Sequence, residues 1–292
     1  MSKYPFKTGI VHSMAFPETL DGSGPVLETA KVLVDDNFFD VIEVSSVKST
    51  STQQALSSLL SSSGKGIVFC SGGNLIRKKV DLNALESSVR DEAVLFAEHL
   101  VDEALSYGAK TFVLCSGPDP GFPQRKEAKP ALIRSLTEIC DHAGRQMMVS
   151  LESFDRDVDK KRLVGPTHEA VDLVSEARRH VTNIGLTIDL SHLPLLHEKP
   201  SRSLNEAKGV LVHSHIGNCM PNADSHPRFS VPGSCNGLNE VKEFLRALKS
   251  VGYFDRSDSI VSFEVKPGPG EDPEAVIAES KAVLSEAMRA IA

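Results

Sequence analysis

Apolar residues along this chain fall into two alternating patterns. Short, nearly continuous runs occupy positions 8–11, 41–44, 66–70, 111–115, 147–151, 185–188, 210–212 and 260–263. Most are rich in Val, Ile or Phe, which is how parallel strands covered on both faces read. Between them apolar residues recur at three- and four-residue steps, the signature of helices with one buried face. The clearest such stretch is 82–105, where Leu82, Leu85, Val89, Ala93, Phe96, Ala97, Leu100, Ala104 and Leu105 line one side. Further helices are predicted near 26–34, 53–60, 131–143, 168–177, 238–251 and 273–290. Thr167 is expected to cap one helix, and Asp272 another, with Pro273 at its first position.

Eight strands alternating with helices predict a (β/α)₈ barrel, the TIM fold, occupying 1–292 as one domain. The competing doubly wound sheet requires a glycine fingerprint after its first strand, and GIVHSMAFPETLDGSG lacks the spacing. The chain's 292 residues suit one barrel, which typically takes ~250.

Charge narrows the partners. A net charge of −7 is unsuited to tracking a phosphate backbone, so nucleic acid is not the expected partner. The five cysteines are scattered without a CxxC pair, against a disulfide framework or a cysteine-rich zinc site. No run is long enough to cross a bilayer, and the first residues do not read as a secretion signal, so a cytoplasmic protein is expected.

The candidate chemistry lies at strand ends, which in a barrel converge on one mouth. MMVSLES ends in Glu152, GLTIDLSH supplies Asp189 and His192, VLVHSHIGN supplies His213 and His215, and VSFEVKP supplies Glu264. Carboxylates with imidazole form a hard, mixed O/N ligand set suited to Mn²⁺, Mg²⁺, Co²⁺ or Zn²⁺. His213 and His215 share strand parity. His215, nearer the strand end, is the better ligand, and His213 is expected one layer deeper as a hydrogen-bonded histidine.

Taken in order, Glu152, Asp189-Leu-Ser-His192, His213-Ser-His215-Ile-Gly217 and Glu264 resemble the xylose-isomerase-like TIM-barrel superfamily of sugar phosphate isomerases and epimerases, most closely its ketose 3-epimerases. Glu152-Ser-Phe-Asp155-Arg156 is similar to their Glu-x-Leu-Asn-Arg. The resemblance implies one divalent metal ion, manganese first, held by Glu152, Asp189, His215 and Glu264. It implies that Glu152 and Glu264 also move the proton, through an enediolate, and that His192 touches the sugar. It further implies a small-molecule sugar substrate and a homo-oligomer, dimer or tetramer.

The pattern departs from those relatives at two places. Asn218 and Cys219 follow Gly217 where an acidic residue is expected, and a longer loop precedes Pro232-Gly233, so Arg228 is the candidate for the family's substrate-binding arginine. The acidic residue expected after Arg156 is displaced, and Asp157 or Asp159 takes its place. These changes leave open a lyase or dehydratase that eliminates a β-substituent from a keto-glycoside or keto-inositol. A non-catalytic sugar-binding barrel is a third reading. Asp224-Ser-His226 is similar to an Asp-x-His of the three-zinc endonuclease IV branch. That branch also needs histidines after early strands, and FCSGGN and FVLCSGPDPG have none. Asp224 and His226 are therefore expected to form a polar lid.

Among the remaining candidates, His12 and Lys266 are expected as substrate contacts at strand ends, and Arg125 as either a mouth residue or an exposed one. Glu43 is expected to be inward-facing or buried in an ion pair. Lys160-Lys161-Arg162 reads as a solvated run, and Cys70 and Cys115 read as strand core.

Overall fold

Eight parallel strands close on themselves in the computed structural model, which describes residues 3–291. Met1, Ser2 and Ala292 of the expected 1–292 span lie outside the described residues. The strands are β1 (Lys7–Val11), β2 (Val41–Val44), β3 (Gly66–Cys70), β4 (Thr111–Cys115), β5 (Met148–Glu152), β6 (Ile184–Asp189), β7 (Leu211–Gly217) and β8 (Ile260–Glu264). Each pairs with the next in sequence, and β1 pairs with β8 to complete the barrel. The helices are α1 (His12–Ala15), α2 (Val26–Asp35), α3 (Thr50–Ser63), α4 (Gly72–Lys78), α5 (Ser87–Ser106), α6 (Arg125–Ala143), α7 (Thr167–Ala177), α8 (Pro200–Ala207), α9 (Leu238–Ser250) and α10 (Pro273–Ile291). This is the (β/α)₈ architecture that the alternating pattern predicts.

Four strands run beyond their apolar segments. β5 takes in Glu152, β6 takes in Asp189, β7 continues through His213 and His215 to Gly217, and β8 takes in Glu264. The backbone ladder continues there while the inward side chains become polar, so hydrophobicity stops short of the strand end. The helix expected from 82 begins at Ser87; Leu82 is buried in the preceding loop, where its carbonyl accepts a hydrogen bond from Ser135 Oγ at 2.7 Å. α1, α4 and α8 fall outside the predicted helices, because segments this short carry little periodicity. Thr167 is the first residue of α7 rather than its cap, and Glu198 accepts from its backbone N–H at 2.9 Å. Asp272 Oδ1 does accept from the N–H of Glu274 at the start of α10, at 3.1 Å.

The main core lies between strands and helices. Phe69 and Phe112, register partners on β3 and β4, stack with ring centroids 5.6 Å apart, and both are fully buried. Burying one such side chain contributes about 1.5–3 kcal/mol. A smaller cluster inside the barrel unites Val41, Val68 and Val113, with Ile260 against them, and forms an apolar floor. One turn of strand above it the interior becomes polar.

Two local features set that polar layer. The β6–β7 register shifts between Leu186 and Thr187, so that Leu186 faces Leu211 while Thr187 faces His213. Such an irregularity re-aims side chains, and here His213 and His215 both end buried inside the barrel. Beyond β7, Gly9 lets β1 approach β8: a Cβ there would lie 2.1 Å from Ser262 Oγ. Among the described residues no helix is long and apolar enough to cross a membrane.

Candidate metal centre

Four strand ends meet above the floor. Ligand atoms of Glu152 (β5), Asp189 (β6), His215 (β7) and Glu264 (β8) all lie within 4.8 Å of one another. His215 Nδ1 is 2.9 Å from Glu264 Oε2 and 3.2 Å from Glu152 Oε1. Its other nitrogen, Nε2, is 3.0 Å from Glu43 Oε2 on β2. A neutral imidazole that donates Nε2–H to Glu43 turns a bare Nδ1 toward two carboxylates. That arrangement calls for a cation among them, either a proton or a metal. The oxygen-rich, single-imidazole donor set fits a hard or borderline divalent ion.

A second group adjoins the first. Ligand atoms of Asp189, His192 and His226 also lie within 4.8 Å of one another. His192 Nδ1 donates to the carbonyl of Ser153 at 2.9 Å and His226 Nδ1 to that of Glu264 at 3.2 Å. Both rings therefore present Nε2 to Asp224, at 3.4 and 2.9 Å respectively. The contacts are close but poorly directed: among the described residues neither Asp224 carboxylate oxygen, nor Nε2 of His192, has a hydrogen-bond partner. Lys160 Nζ stands 3.3 Å from Asp224 Oδ2.

Burial and charge oppose each other throughout. Burial raises the Asp189 carboxyl to about 6, assisted by Glu264 and resisted by His192 and His226. Burial likewise disfavours charge on Glu264, but His226 and His215 outweigh it and hold the group at about 2. Burial would lower His192 and His226, yet Asp224 foremost, with other carboxylates, lifts them to about 10 and about 9. Burial also opposes charge on His215 and on Glu43; their mutual attraction raises the imidazole and, with His213, depresses the carboxyl.

A cavity of about 230 Å³ opens beside this cluster, lined by Met14, Cys70, Arg77, Lys160, Glu264 and Lys266 among others. Of the substrate contacts expected from sequence, Lys266 lines it. His192 is buried behind Asp224 and outside that lining. His12 turns away from the mouth, its Nε2 2.8 Å from Thr29 Oγ1 on α2. Asp157 is exposed, while Asp155 folds the loop by accepting from the N–H groups of Val158, Asp159 and Lys160. The Arg228 guanidinium is taken by Glu271 at 2.7 Å and Glu279 at 3.2 Å, away from the cavity lining. Arg125 pairs with Asp119 at 2.6 Å.

Three expectations are corrected. Asp224 and His226 are not a lid over the mouth: both are buried in the cluster, where oppositely charged partners surround them. Lys160-Lys161-Arg162 is not a solvated run: Lys160 reaches Asp224, and Arg162 is buried against the carbonyl of Ser116. Cys70 is not plain strand core: its thiol donates to Glu43 Oε2 at 2.9 Å and borders the cavity. Cys115 is buried in the core, as expected. Arg77 and Asn74 border the cavity from α4, and no sequence signal marked them because that helix itself was not legible.

A family model described as xylose isomerase-like TIM barrel matches residues 36–287. Among solved structures, D-psicose 3-epimerase with D-tagatose from Clostridium cellulolyticum H10 is 16% identical with a TM-score of 0.72, covering 98% of this chain and 99% of that one. The IOLI protein with a binding zinc atom is 18% identical with a TM-score of 0.74, over 96% of this chain and 97% of that one. An AP endonuclease, family 2, from Brucella melitensis is 19% identical with a TM-score of 0.70, over 94% and 97% respectively. At these identities the likeness is one of fold. No curated protein matches the chain.

Proposed function

The chain belongs to the xylose isomerase-like TIM-barrel family, and on that premise we propose that it is a divalent-metal-dependent isomerase or epimerase of a ketose or related keto-sugar. The observation that carries the reading is the convergence of Glu152, Asp189, His215 and Glu264 beside a cavity of sugar-accommodating size. These four residues would hold the ion, with Mn²⁺ first and Mg²⁺, Co²⁺ and Zn²⁺ as alternatives. The neighbouring epimerase and zinc-bearing structures support this choice by fold.

When bound, the ion supplies electrophilic stabilisation of the charge developing on a carbonyl oxygen and its neighbouring hydroxyl. Glu264, 17% exposed and bordering the cavity, takes the proton from the carbon beside the carbonyl. Glu152 approaches from β5 and returns a proton to the opposite face, or to the adjacent carbon. Lys266 and Lys160, both on the cavity wall, are the nearer groups to orient sugar oxygens. We also infer a homo-oligomer, which sizing in solution tests.

The deciding experiment combines metal analysis with proton NMR of a ketose panel in D₂O. One metal per chain, with deuterium entering the carbon beside the carbonyl, supports the reading. Failure to take up any divalent ion, or no exchange with any ketose, sinks it. Loss of water or an aglycone after exchange would select the lyase alternative.

The Asp189, His192, Asp224 and His226 group favours one competing reading, a site with more than one metal that acts on phosphodiesters, for which the endonuclease neighbour is a precedent of fold. Against it, β3 and β4 end in Cys70 and Cys115, not histidine. Two or three metals per chain with cleavage of an abasic-site oligonucleotide would replace the isomerase reading.

A further inference from the structure

A buried layer beneath the four-residue centre has no part in the proton transfer just described. Glu43 on β2 is fully buried and stands between the two histidines of β7. Its Oε1 accepts from His213 Nε2 at 2.9 Å, and its Oε2 accepts from His215 Nε2 at 3.0 Å and from Cys70 Sγ at 2.9 Å. A carboxylate removed from water is costly unless donors surround it, and here three do so.

The arrangement constrains the tautomer of His215. The Nε2 atoms of His213 and His215 are only 3.0 Å apart. Two N–H groups at that spacing repel unless one acceptor receives both, and the Glu43 carboxylate offers one oxygen to each. With Nε2–H of His215 committed to Glu43, Nδ1 is the ring nitrogen left to take the ion, and it is this atom that faces Glu152 and Glu264.

We propose that Glu43 is a positioning residue: braced by His213 on its other oxygen, it fixes His215 with Nε2 protonated and so presents Nδ1 as the metal-binding atom. This rests on the metal-dependent reading above. It also gives separate roles to the two histidines of the His213-Ser-His215 motif, one as ligand and one as brace. Glu43→Gln replaces one carboxylate oxygen by an amide NH₂. Whichever way that amide turns, one histidine N–H meets a donor instead of an acceptor.

The test follows the imidazole nitrogens by ¹⁵N NMR of the whole protein during zinc titration, with zinc affinity measured by chelator competition in wild type and in Glu43→Gln. The expected result is a His215 ring protonated at Nε2, a zinc-induced shift at Nδ1, and an affinity about 10–100-fold weaker in the variant. Glu43→Asp, which restores the carboxylate, is expected to recover part of the loss. Zinc uptake with unchanged affinity in a folded Glu43→Gln protein overturns the inference alone. So does a zinc-perturbed Nε2 in wild type, a readout that stands even if the variant does not fold. A wild-type protein that takes up neither zinc nor manganese, cobalt or magnesium overturns the metal reading and this inference together.

Discussion

Asp224 Oδ1 lies 2.9 Å from Nε2 of His226, and both side chains are buried although they belong to a long connection between a strand and a helix. The segment that follows β7 thus contributes to the interior of the site. His192 and Lys160 complete the surroundings of Asp224 at 3.4 and 3.3 Å. The carboxylate is the shared partner of three cationic or protonatable groups.

Removing that shared partner has a definite cost. Asp224→Asn leaves buried His192, His226 and Lys160 without their counter-charge, and breaking a buried pair from one side typically costs about 3–5 kcal/mol. Urea denaturation of the metal-free protein measures it. A variant as stable as wild type would show that Asp224 is not charged in the folded state.

The two proposed proton-transfer groups are separable from folding. Glu152→Gln and Glu264→Gln keep side-chain shape and are each expected to slow solvent deuterium exchange by about 10²–10⁴-fold. Circular dichroism should be unchanged. Retention of exchange in either variant removes that residue from the reaction.

Stability of the metal-free protein should peak in mildly acidic solution. Glu264 sits at about 2 against an ordinary 4.5, so its stabilisation is present above 4.5 and is lost as pH falls toward 2. His226, at about 9, and His192, at about 10, are raised from 6.5; their stabilisation is present below 6.5 and is lost as pH rises through those values. Asp189, raised from 3.8 to about 6, has the sign of the histidines, and its contribution fades as pH rises through 6. A divalent ion competes with these protons, so the Tm gained on loading should grow from about pH 5.5 to about pH 8. Thermal melts with and without Mn²⁺ test this, and a pH-independent gain would contradict it.

Arg228→Ala separates surface pairing from substrate binding. The guanidinium is one-third exposed and already engaged by Glu271 and Glu279. The loss in stability should be small, because solvent screens exposed pairs. Turnover of any ketose substrate should be nearly unaffected, and a large rise in KM would place Arg228 in the binding site after all.

The barrel was legible in the chain because short continuous apolar runs and stretches of period-3.6 hydrophobicity alternate cleanly through it. The convergence of Glu152, Asp189, His215 and Glu264 was legible because parallel strands must bring their ends to one mouth. What the pattern could not convey was depth. Asp224 and His226 lie in a polar loop, and a polar loop reads as solvent-facing until the opposite charges across it are known. Lys160 and Arg162 were hidden in the same way, since a run of three basic residues carries no signal that alternate members turn inward. Glu43, expected to be inward or ion-paired, is both, because its partners sit on β7 across the barrel.

The valine floor bears on traffic. Val41, Val68 and Val113, all nearly fully buried, pack together below Glu43 and set an apolar barrier in the path of an ion along the barrel axis. On the proposed reading, ion and sugar must then use one doorway, past Glu264 and the lysines of its wall. Arrival is ordered, ion before sugar, and a seated sugar becomes a stopper: chelators should strip the ion more slowly from the sugar complex than from the sugar-free protein.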